Sequence, residues 1–304
     1  MSPDPVYTLA DLESWSRLAP SLAVLGHPIR HSLSPPMHNA ALAAEAPPGR
    51  DAAAWRYFRF EIPPAELPRA LAQLHARQFR GVNLTVPHKV MAFDLVKEID
   101  DQARLCGAVN TLLWTPGGWR GFNTDGYGLA SAVGEALGCD LPGATVLLLG
   151  AGGAARGAAV ECLSRRCASL WIANRTRDHL DRLLDFLRPL AGGIPMHALG
   201  GSAALPPAGA IVINATSAGL RSGEPPPIDL SLLPRPSAVF DMIYNPPQTA
   251  LLAQAGRLGV PAANGMSMLA HQGAKSLEIW TGIPAARSAP VMLAAGRAAL
   301  EQPT

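Results

Sequence analysis

Cysteine is scarce in this chain, and its four copies form no CxxC pair. The N-terminus also lacks the basic-then-apolar pattern of a secretion signal. We therefore expect reduced thiols and a cytoplasmic location, rather than a disulfide framework or a redox centre. The cysteines are Cys106, Cys139, Cys162 and Cys167.

Long apolar runs and basic runs are missing as well. No apolar segment reaches the ~18 residues that a membrane-spanning helix needs. The formal net charge is only +2, and lysine and arginine form no long cluster. Membrane insertion and nucleic-acid binding therefore have no support in the sequence.

A metal site is not expected either. His27, His31 and His38 lie close together in the sequence, but prolines and a turn pattern separate them, and no acidic cluster accompanies them. Structural and catalytic zinc sites need three or four ligands at suitable spacing. We therefore assign no metal ligands.

The composition that remains is typical of a two-domain α/β protein. The chain has 304 residues, of which 48% are apolar, with 29 glycines and 29 prolines for tight connections. This length allows two domains and a sizeable core. We predict an α/β domain over residues 1–125 and a second domain over residues 126–266. Two C-terminal helices follow, and we expect residues 267–304 to return to the first domain and complete it.

The second domain has the pattern of a doubly wound parallel sheet. Continuous apolar strands, predicted at 144–149, 169–174, 210–215 and 238–244, alternate with helices. The first of these strands leads into Gly150-Ala151-Gly152-Gly153-Ala154-Ala155 and then into a helix. This segment departs from G-x-G-x-x-G only at Ala155, which is still small enough for close packing of helix on strand. Backbone N–H groups at such a helix start bind a pyrophosphate, so we predict a Rossmann-type dinucleotide site.

The residues after the next strand indicate which dinucleotide binds. An NAD site places an acidic residue there to hold the ribose hydroxyls. This chain instead has Asn174, Arg175, Thr176 and Arg177. Guanidinium groups bind phosphate well, so we predict NADP(H) rather than NAD(H).

Lys89 is the candidate acid–base residue of the first domain. A strand predicted over 79–86 is followed by Pro87, which suits the first turn of a helix predicted over 88–105. Lys89 then lies at the positive end of the helix dipole, which disfavours the protonated ammonium. Acid–base chemistry near neutral pH requires a lysine that loses its proton readily.

Two further polar clusters accompany Lys89. Ser34 is predicted as a helix N-cap with Pro35 at the first helical position, and Ser32 adds a second hydroxyl, so that a small carboxylate could bind there. Asn110 and Asp125 lie at the outer ends of a predicted hairpin and could face one polar pocket. A carboxylate beside Lys89 would favour the charged ammonium and oppose the dipole, and the sequence leaves open which effect dominates.

Taken together, these segments resemble the shikimate dehydrogenase family over nearly the whole chain. The order and spacing of the matching segments make the resemblance specific. They are Gly26 to Asn39, Asn83 to Lys89, Gly107 to Thr111, Asn123 to Gly126, Gly150 to Ala155, Asn174 to Thr176, Asn214 to Gly219, Asp241 to Pro246, and Asn264 to Met266.

The resemblance implies reversible reduction of 3-dehydroshikimate to shikimate by NADPH, in aromatic amino-acid biosynthesis. It implies that Ser32 and Ser34 hold the substrate carboxylate and that Lys89 transfers the proton together with Asp125. Tyr244 is then a substrate contact near the nicotinamide. The residues implied to hold ring hydroxyls are Thr85, Asn110, Asp125 and Gln272.

The cofactor contacts follow partly from the glycine and arginine motifs and partly from the resemblance. Met242 and Gly265 match nicotinamide contacts, and Asp101 matches a position that some members place near the cofactor. The predicted set is Gly150, Ala151, Gly152, Gly153, Ala154, Asn174, Arg175, Thr176, Arg177, Thr216, Met242, Gly265 and Asp101. The expected partners are therefore small molecules, with the protein a monomer or a homodimer as in the family, and the site is expected in a cleft between the domains.

Two alternatives remain open at this point. A quinate or dual quinate/shikimate dehydrogenase using NAD(P) shares most of these motifs, because quinate differs by one hydroxyl at the carboxylate-bearing carbon. A non-catalytic NADP-binding regulator on the same scaffold is the second alternative. Loss of the acid–base pair would mark such a regulator, and both Lys89 and Asp125 are present.

Overall fold

Two separate β-sheets organise the chain in the computed structural model. One compact unit runs to Thr124 and resumes at Ala270, and the other is Asp125–Leu269. The structure describes residues 5–17, 19–45, 54–200, 204–221 and 223–301.

The first unit alternates short strands and helices. Two 3-10 turns, Pro64–Glu66 and Ala92–Leu95, connect some of them. In chain order its elements are β1 (Val6–Tyr7), α1 (Leu9–Glu13), β2 (Ser21–Gly26), α2 (Ser34–Ala44), β3 (Arg56–Glu61), α3 (Leu67–Ala76), β4 (Gly81–Leu84), α4 (His88–Met91), β5 (Glu98–Ile99), α5 (Asp101–Cys106), β6 (Thr111–Thr115) and β7 (Gly118–Phe122).

The second unit follows directly and the chain then ends in two helices. Its 3-10 turns are Arg188–Leu190 and Leu230–Leu232. The remaining elements are α6 (Asp125–Leu137), β8 (Thr145–Leu149), α7 (Gly153–Ser164), β9 (Ser169–Ala173), α8 (Arg177–Leu187), β10 (Met196–Leu199), β11 (Ile211–Asn214), β12 (Ala238–Asp241), α9 (Ala250–Arg257), β13 (Ala262–Asn264), α10 (Met266–Thr281) and α11 (Ala285–Glu301).

The described strands of the first unit form a seven-stranded sheet in the order β1-β3-β2-β4-β6-β7-β5. β2, β3 and β4 are parallel, whereas β6 runs antiparallel to β4 and to β7. The carboxyl ends of β2, β3 and β4 therefore lie at the same edge as the start of β6. Asn83 near the end of β4 pairs with Thr111 at the start of β6. The loops that follow β2 and β4 and the segment that precedes β6 therefore lie at this edge, and they carry predicted substrate residues.

The second unit contains a parallel sheet of six described strands in the order β10-β9-β8-β11-β12-β13. Numbered along the chain, this is the 3-2-1-4-5-6 order of a doubly wound dinucleotide-binding fold. The strand order reverses between β8 and β11, so the loops that follow these two strands flank a crevice at their carboxyl ends. The prediction of a mixed α/β chain with a Rossmann-type parallel sheet is confirmed.

The C-terminal helices pack against elements of the first unit. Ser276 of α10 accepts a hydrogen bond from the Asn83 side chain at 3.0 Å, and Trp280 donates its indole N–H to the Leu112 carbonyl at 2.9 Å. A side chain at Gly81 of β4 would overlap the Trp280 ring. α11 packs against α2. These contacts join the last residues of the chain to its first sheet.

Apolar side chains from both faces of each sheet fill the cores. In the first unit, Leu25, Phe60, Phe79 and Leu112 are among the buried residues beside an aromatic cluster of Tyr7, Trp15 and Phe58. In the second, the core includes residues of β8, β11 and β12, namely Leu147, Val212 and Val239. None of the described helices combines the length and apolar character that crossing a bilayer requires.

The prediction of one helix over 88–105 is wrong. The segment divides into α4, the 3-10 turn Ala92–Leu95, β5 and α5. The edge of β7 offers unpaired backbone groups, and Glu98 and Ile99 pair with them in parallel. Asp100 then caps α5 by accepting the Gln102 N–H at 3.0 Å, a helix start that the apolar periodicity concealed. Tertiary strand pairing thus overrides the local helical pattern.

His38 in α2 makes the stability of the first unit depend on pH. Its ring is 1% exposed and stacks on Tyr57 with centroids 4.1 Å apart. Its Nδ1 has no hydrogen-bond partner among the described residues. Burial lowers the pKa of His38 from 6.5 to about 3. Between these two pH values the imidazole is neutral in the folded protein and protonated in the unfolded chain.

We predict that His38→Phe flattens the pH dependence of unfolding. Between about pH 6.5 and pH 3 the unfolded chain binds one more proton at this site, so stability falls as pH falls, by ~1.4 kcal/mol per pH unit. Above pH 6.5 the neutral state carries no such penalty. Denaturant unfolding of both proteins between pH 7 and pH 5 measures the two slopes, and equal slopes would contradict the assignment.

Candidate active site

Six predicted substrate residues of the first unit lie at or beside one edge of its sheet. The loop after β2 carries Ser32 and leads to Ser34, and the residues after β4 include Thr85 and Lys89. Asn110 immediately precedes β6, and its carbonyl accepts the Leu84 N–H at 2.9 Å. The sixth, Gln272, lies one turn before Ser276 in α10 and accepts its hydroxyl at 3.0 Å through the main-chain carbonyl.

Lys89 is fixed through its backbone rather than by a long helix. It is the second residue of α4, which has only four residues. The dipole argument therefore loses its basis, because a dipole of useful size requires several aligned turns. The Lys89 carbonyl accepts the Val109 N–H at 2.9 Å, which ties α4 to the residue preceding Asn110. The lysine and the asparagine are thus held to the same edge.

His88 anchors the other side of α4. It is fully buried and its Nε2 donates to the Ile62 carbonyl at 2.8 Å. Burial lowers the pKa of His88, and His27 lowers it further, while the hydrogen bond and Glu61 oppose the shift. The His88 ring is therefore neutral, with its proton on Nε2. Its hydrogen bond to Ile62 holds the main chain beside Lys89 in place.

The predicted N-cap at Ser34 is also wrong. α2 begins at Ser34 itself, and its N-cap is Leu33, which has no side-chain oxygen. Pro35 and Pro36 lack N–H groups, and the Met37 N–H bonds to the Leu33 carbonyl at 3.2 Å. A side chain at the cap position therefore has no free N–H group from which to accept a hydrogen bond. Instead, the Ser32 hydroxyl accepts the Ser34 N–H at 3.3 Å, so Ser32 orders the start of the helix.

A buried polar network lies beneath Asn110. Its side-chain carbonyl accepts the Thr124 N–H and the Thr111 hydroxyl, each at 2.9 Å. Its amide donates to the Thr124 hydroxyl at 3.0 Å. Asn83 adds the Tyr57 hydroxyl to the network at 2.8 Å. Burial raises the pKa of Tyr57 well above 10.0, partly opposed by the Ser34 hydroxyl. Asn83 begins the sequence motif that contains Lys89, but the motif predicts no role for it.

Asp125 begins the second unit as the first residue of α6. The adjoining Gly126 has no room for a side chain, because a Cβ there would overlap the carboxylate of Glu161 in α7. Glu161 is buried and pairs with Arg165 at 2.7 Å. The start of α6 is therefore packed closely against α7.

The glycine turn of the second unit is tight toward the protein and open on its other side. Gly150 adopts a φ of +114°, and a Cβ there would lie 3.1 Å from the Ala215 carbonyl oxygen. Only glycine tolerates this conformation readily. Gly152 and Gly153 at the start of α7 have no described atom within 4 Å of an added Cβ. Ala151 and Ala154 belong to the same turn, and the N–H groups at this helix start suit a pyrophosphate.

The two predicted arginines differ in their surroundings. Arg177 is held by Asp181, with Nε to Oδ2 and Nη2 to Oδ1 both at 2.9 Å, and this pairing raises the pKa of Arg177. Arg175 is exposed in the turn after β9. Asn174 donates to the Thr176 carbonyl at 2.8 Å and closes that turn. Arg175 is therefore the arginine better placed to meet a phosphate.

A buried carboxylate arranges the remaining loops of this edge. Asp241 accepts the Asn214 amide at 2.9 Å, the Ile243 N–H at 3.1 Å and the Thr249 hydroxyl at 2.7 Å. Burial raises the pKa of Asp241, and these hydrogen bonds oppose the shift. The side-chain oxygen of Asn214 is thereby turned toward Thr216, whose hydroxyl donates a hydrogen bond to it at 2.7 Å. Sequence reasoning assigned Asp241 and Asn214 no role, and Thr216 uses its proton within the turn.

Met242 and Gly265 are neighbours at this same edge. A Cβ on Gly265 would overlap the Met242 carbonyl, and the Gly265 N–H donates to Ile243 at 3.1 Å. Tyr244 follows β12 and is partly buried, and burial raises its pKa. Asp101, in contrast, lies in the first unit as the exposed first residue of α5. Within the described ranges, no group of three or more His, Cys, Asp or Glu is arranged to hold a metal ion.

Comparisons with known proteins show to which family the chain is related. The family model "Shikimate dehydrogenase substrate binding domain" matches residues 24–112, and "Shikimate 5'-dehydrogenase C-terminal domain" matches residues 265–295. A protein of Methylobacterium radiotolerans named shikimate dehydrogenase (NADP(+)) is 40% identical over 267 residues, covering 86% of this chain and 92% of the relative.

The chain belongs to the shikimate dehydrogenase family.

Solved structures of similar proteins have the same fold. Shikimate 5-dehydrogenase from Thermus thermophilus, in complex with NADP(H) and shikimate, superposes with a TM-score of 0.79 at 34% identity, covering 92% of this chain and 99% of that one. A ligand-free 5-ketofructose reductase from Gluconobacter gives 0.78 at 30% identity, covering 90% and 98%. The family resemblance read from the sequence is therefore confirmed, while the individual residue roles remain predictions.

Proposed function

We propose that this chain is an NADP-dependent shikimate dehydrogenase, which reduces 3-dehydroshikimate reversibly to shikimate in aromatic amino-acid biosynthesis. The observation that carries this proposal is the 40% identity to a relative of that name across 92% of the relative's length. The polar edge of each sheet supplies the residue types that this reaction requires.

The first unit binds the substrate in this proposal. A carboxylate is received by the hydroxyl groups of Ser32 and Ser34 at the start of the 11-residue α2. The ring hydroxyls are held by Thr85, Asn110 and Gln272, whose side chains carry both donors and acceptors, and by the Asp125 carboxylate, which accepts. Tyr244 is assigned to the substrate as well. Because the buried network fixes the Asn110 amide, its orientation is set before substrate arrives.

Lys89 and Asp125 handle the proton. In the direction of reduction, the Lys89 ammonium donates a proton to the substrate oxygen on which negative charge develops. In the reverse direction the neutral amine accepts the hydroxyl proton. We assign Asp125 to the same step, because a carboxylate favours the ammonium form of a lysine.

The second unit binds the cofactor, and its residues fit an NADP molecule. Bound NADPH supplies the hydride. The N–H groups around Gly150–Gly153 hold the pyrophosphate, and Arg175 holds the 2'-phosphate, with Arg177 close by in sequence. Thr216, Met242 and Gly265 shape the nicotinamide end. The first acidic residue after β9 is Asp178, so the position that selects NAD by binding ribose hydroxyls is not acidic.

The proposal includes a cytoplasmic setting. The four cysteines, all among the described residues, form no disulfide, and three of them are buried. Free cysteines are usual in a reducing compartment. Burial also raises the pKa of Cys167 to about 11, which keeps this thiol protonated and unreactive.

Steady-state assays with two substrates and two cofactors test the function. We expect shikimate with NADP+ to give the highest kcat/KM, and quinate or NAD+ to lower it by at least about tenfold each. Robust oxidation of quinate with NAD+ would overturn the assignment. Reduction of 5-ketofructose with NADPH serves as a further comparison, because a structural relative is named for it.

We predict that Lys89→Met lowers kcat by ~100- to 10,000-fold while NADPH still binds. The variant removes the proton donor and leaves the second unit untouched. Stopped-flow or steady-state rates give kcat, and the change in NADPH fluorescence gives its Kd. Lys97→Met, at an exposed lysine of the same unit, is the matched control. A Lys89→Met enzyme with the kcat of the control would remove Lys89 from the mechanism.

We predict that Arg175→Ser raises the KM for NADP+ by about tenfold or more and leaves the KM for NAD+ nearly unchanged, because only NADP+ carries the 2'-phosphate. Arg177→Ser should have a smaller effect on NADP+, since Asp181 already occupies its guanidinium. Kinetics with both cofactors at saturating shikimate measure the difference. An equal loss with NAD+ would show that Arg175 does not recognise the phosphate.

A further inference from the structure

The loop between β2 and α2 carries Ser32 and is held by side chains of the neighbouring strand β3. Glu61 ends β3, and its partner in the sheet register is Gly26, the last residue of β2. The loop therefore begins beside Glu61. Sequence reasoning assigned Glu61 no function.

Both oxygens of the Glu61 carboxylate are used by this loop. Oε2 accepts the Ile29 N–H at 2.8 Å, and Oε1 accepts from His27 Nδ1 at 2.5 Å. Arg59 lies two residues earlier, on the same face of β3, and donates to the Arg30 carbonyl. Two side chains of one strand thus fix three residues of the loop.

Hydrogen bonds continue from this anchor to the serines. The Ile29 carbonyl accepts the Ser32 N–H at 2.9 Å, and the Ser32 hydroxyl accepts the Ser34 N–H at 3.3 Å. The Ile29 side chain is buried. Glu61 therefore holds the main chain of Ile29 in place. The Ile29 carbonyl then positions Ser32, and the Ser32 hydroxyl orders the first residue of α2.

The loop is also held from the strand on the other side of β2. The His27 N–H donates to the Val86 carbonyl at 3.0 Å, in the segment that connects Thr85 with Lys89. A Cβ on Gly26 would lie 2.5 Å from Thr85 Cγ2 and 2.7 Å from Ile29 Cδ1. The serine loop and the lysine segment are thus packed against each other, and Glu61 fixes one side of this contact.

We propose that Glu61 is a positioning residue for recognition of the substrate carboxylate, acting through Ile29 and Ser32. The inference rests on the proposed function and deepens it, because it names what holds the carboxylate-binding serines in place. Glu61 itself touches neither substrate nor cofactor in this proposal. Its loss should therefore weaken substrate binding without changing proton transfer or NADP binding.

Replacing Glu61 in the full-length protein tests the proposal. We expect Glu61→Ala to raise the KM for shikimate about tenfold, the size expected when hydrogen bonds to a charged group are lost. kcat should change by less than about threefold, and the KM for NADP+ should stay the same. Glu61→Gln should fall between Glu61→Ala and wild type, because its amide oxygen can still accept the Ile29 N–H. Glu98→Ala and Glu98→Gln, at an exposed position of β5, are the matched controls.

A double-mutant cycle separates this role from general destabilisation. If Glu61 acts through Ser32, the losses of kcat/KM for Glu61→Ala and Ser32→Ala should not add, and the double variant should resemble the worse single variant. Additive losses, an unchanged shikimate KM in both Glu61 variants, or a KM for NADP+ that rises equally would overturn the proposal. Should Glu61→Ala not fold, the cycle with Glu61→Gln gives the same test.

The two hypotheses fail in different ways. A wild-type protein that does not oxidise shikimate with NADP+ would refute the proposed function. A wild-type protein that is active, but whose Glu61 variants bind shikimate as well as the Glu98 controls, would refute only the positioning role.

Discussion

The first unit depends on one buried amide, that of Asn83. Its nitrogen donates to the Asn110 carbonyl and lies within 3.1 Å of the Thr111 and Ser276 hydroxyls, and its oxygen accepts the Tyr57 hydroxyl. Four elements of the unit therefore meet at a single side chain. A buried amide left without these partners would cost ~1–3 kcal/mol, so the network holds only when all four elements are in place. The same network fixes Asn110, whose side chain we assign to substrate.

The second unit repeats this design with a carboxylate in place of an amide. Asp241 and Asn214 are fully buried and bonded to each other, and between them they orient the turns after β11 and β12. Each unit thus has a rigid polar layer beneath the edge at which its ligand is proposed to bind. The residues that carry the proposed chemistry, such as Lys89 and Arg175, lie in segments at that edge and outside the layer.

Local patterns predicted the strands and motifs that carry strong signals. The apolar runs of β8, β11 and β12 and the glycine turn at Gly150 were placed to within a few residues. The short edge strands β10 and β13 were missed because three or four residues show no clear period, and the eight-residue helix α9 was missed as well. The break after α4 was missed because pairing with β7 overrides helical periodicity.

The candidate site was predictable to the extent that its residues lie in short motifs. Ser32, Lys89, Asn110 and Arg175 belong to such motifs. The residues that orient them are harder to find, because Asn83 lies in a motif that gives it no role and its partner Ser276 is 193 residues away in the chain. The prediction that Ser34 caps α2 was wrong for a local reason. Two prolines lack the N–H groups from which its hydroxyl would accept hydrogen bonds. Pattern analysis therefore finds the reactive groups more readily than the groups that position them.

The return of the chain at Ala270 has a consequence for folding during synthesis. The second unit is one continuous segment and can fold as soon as it has left the ribosome. The first unit is translated first, but it is complete only after Ser276 and Trp280 have emerged. The face of its sheet that receives Trp280 therefore stays uncovered until nearly the whole chain has been translated.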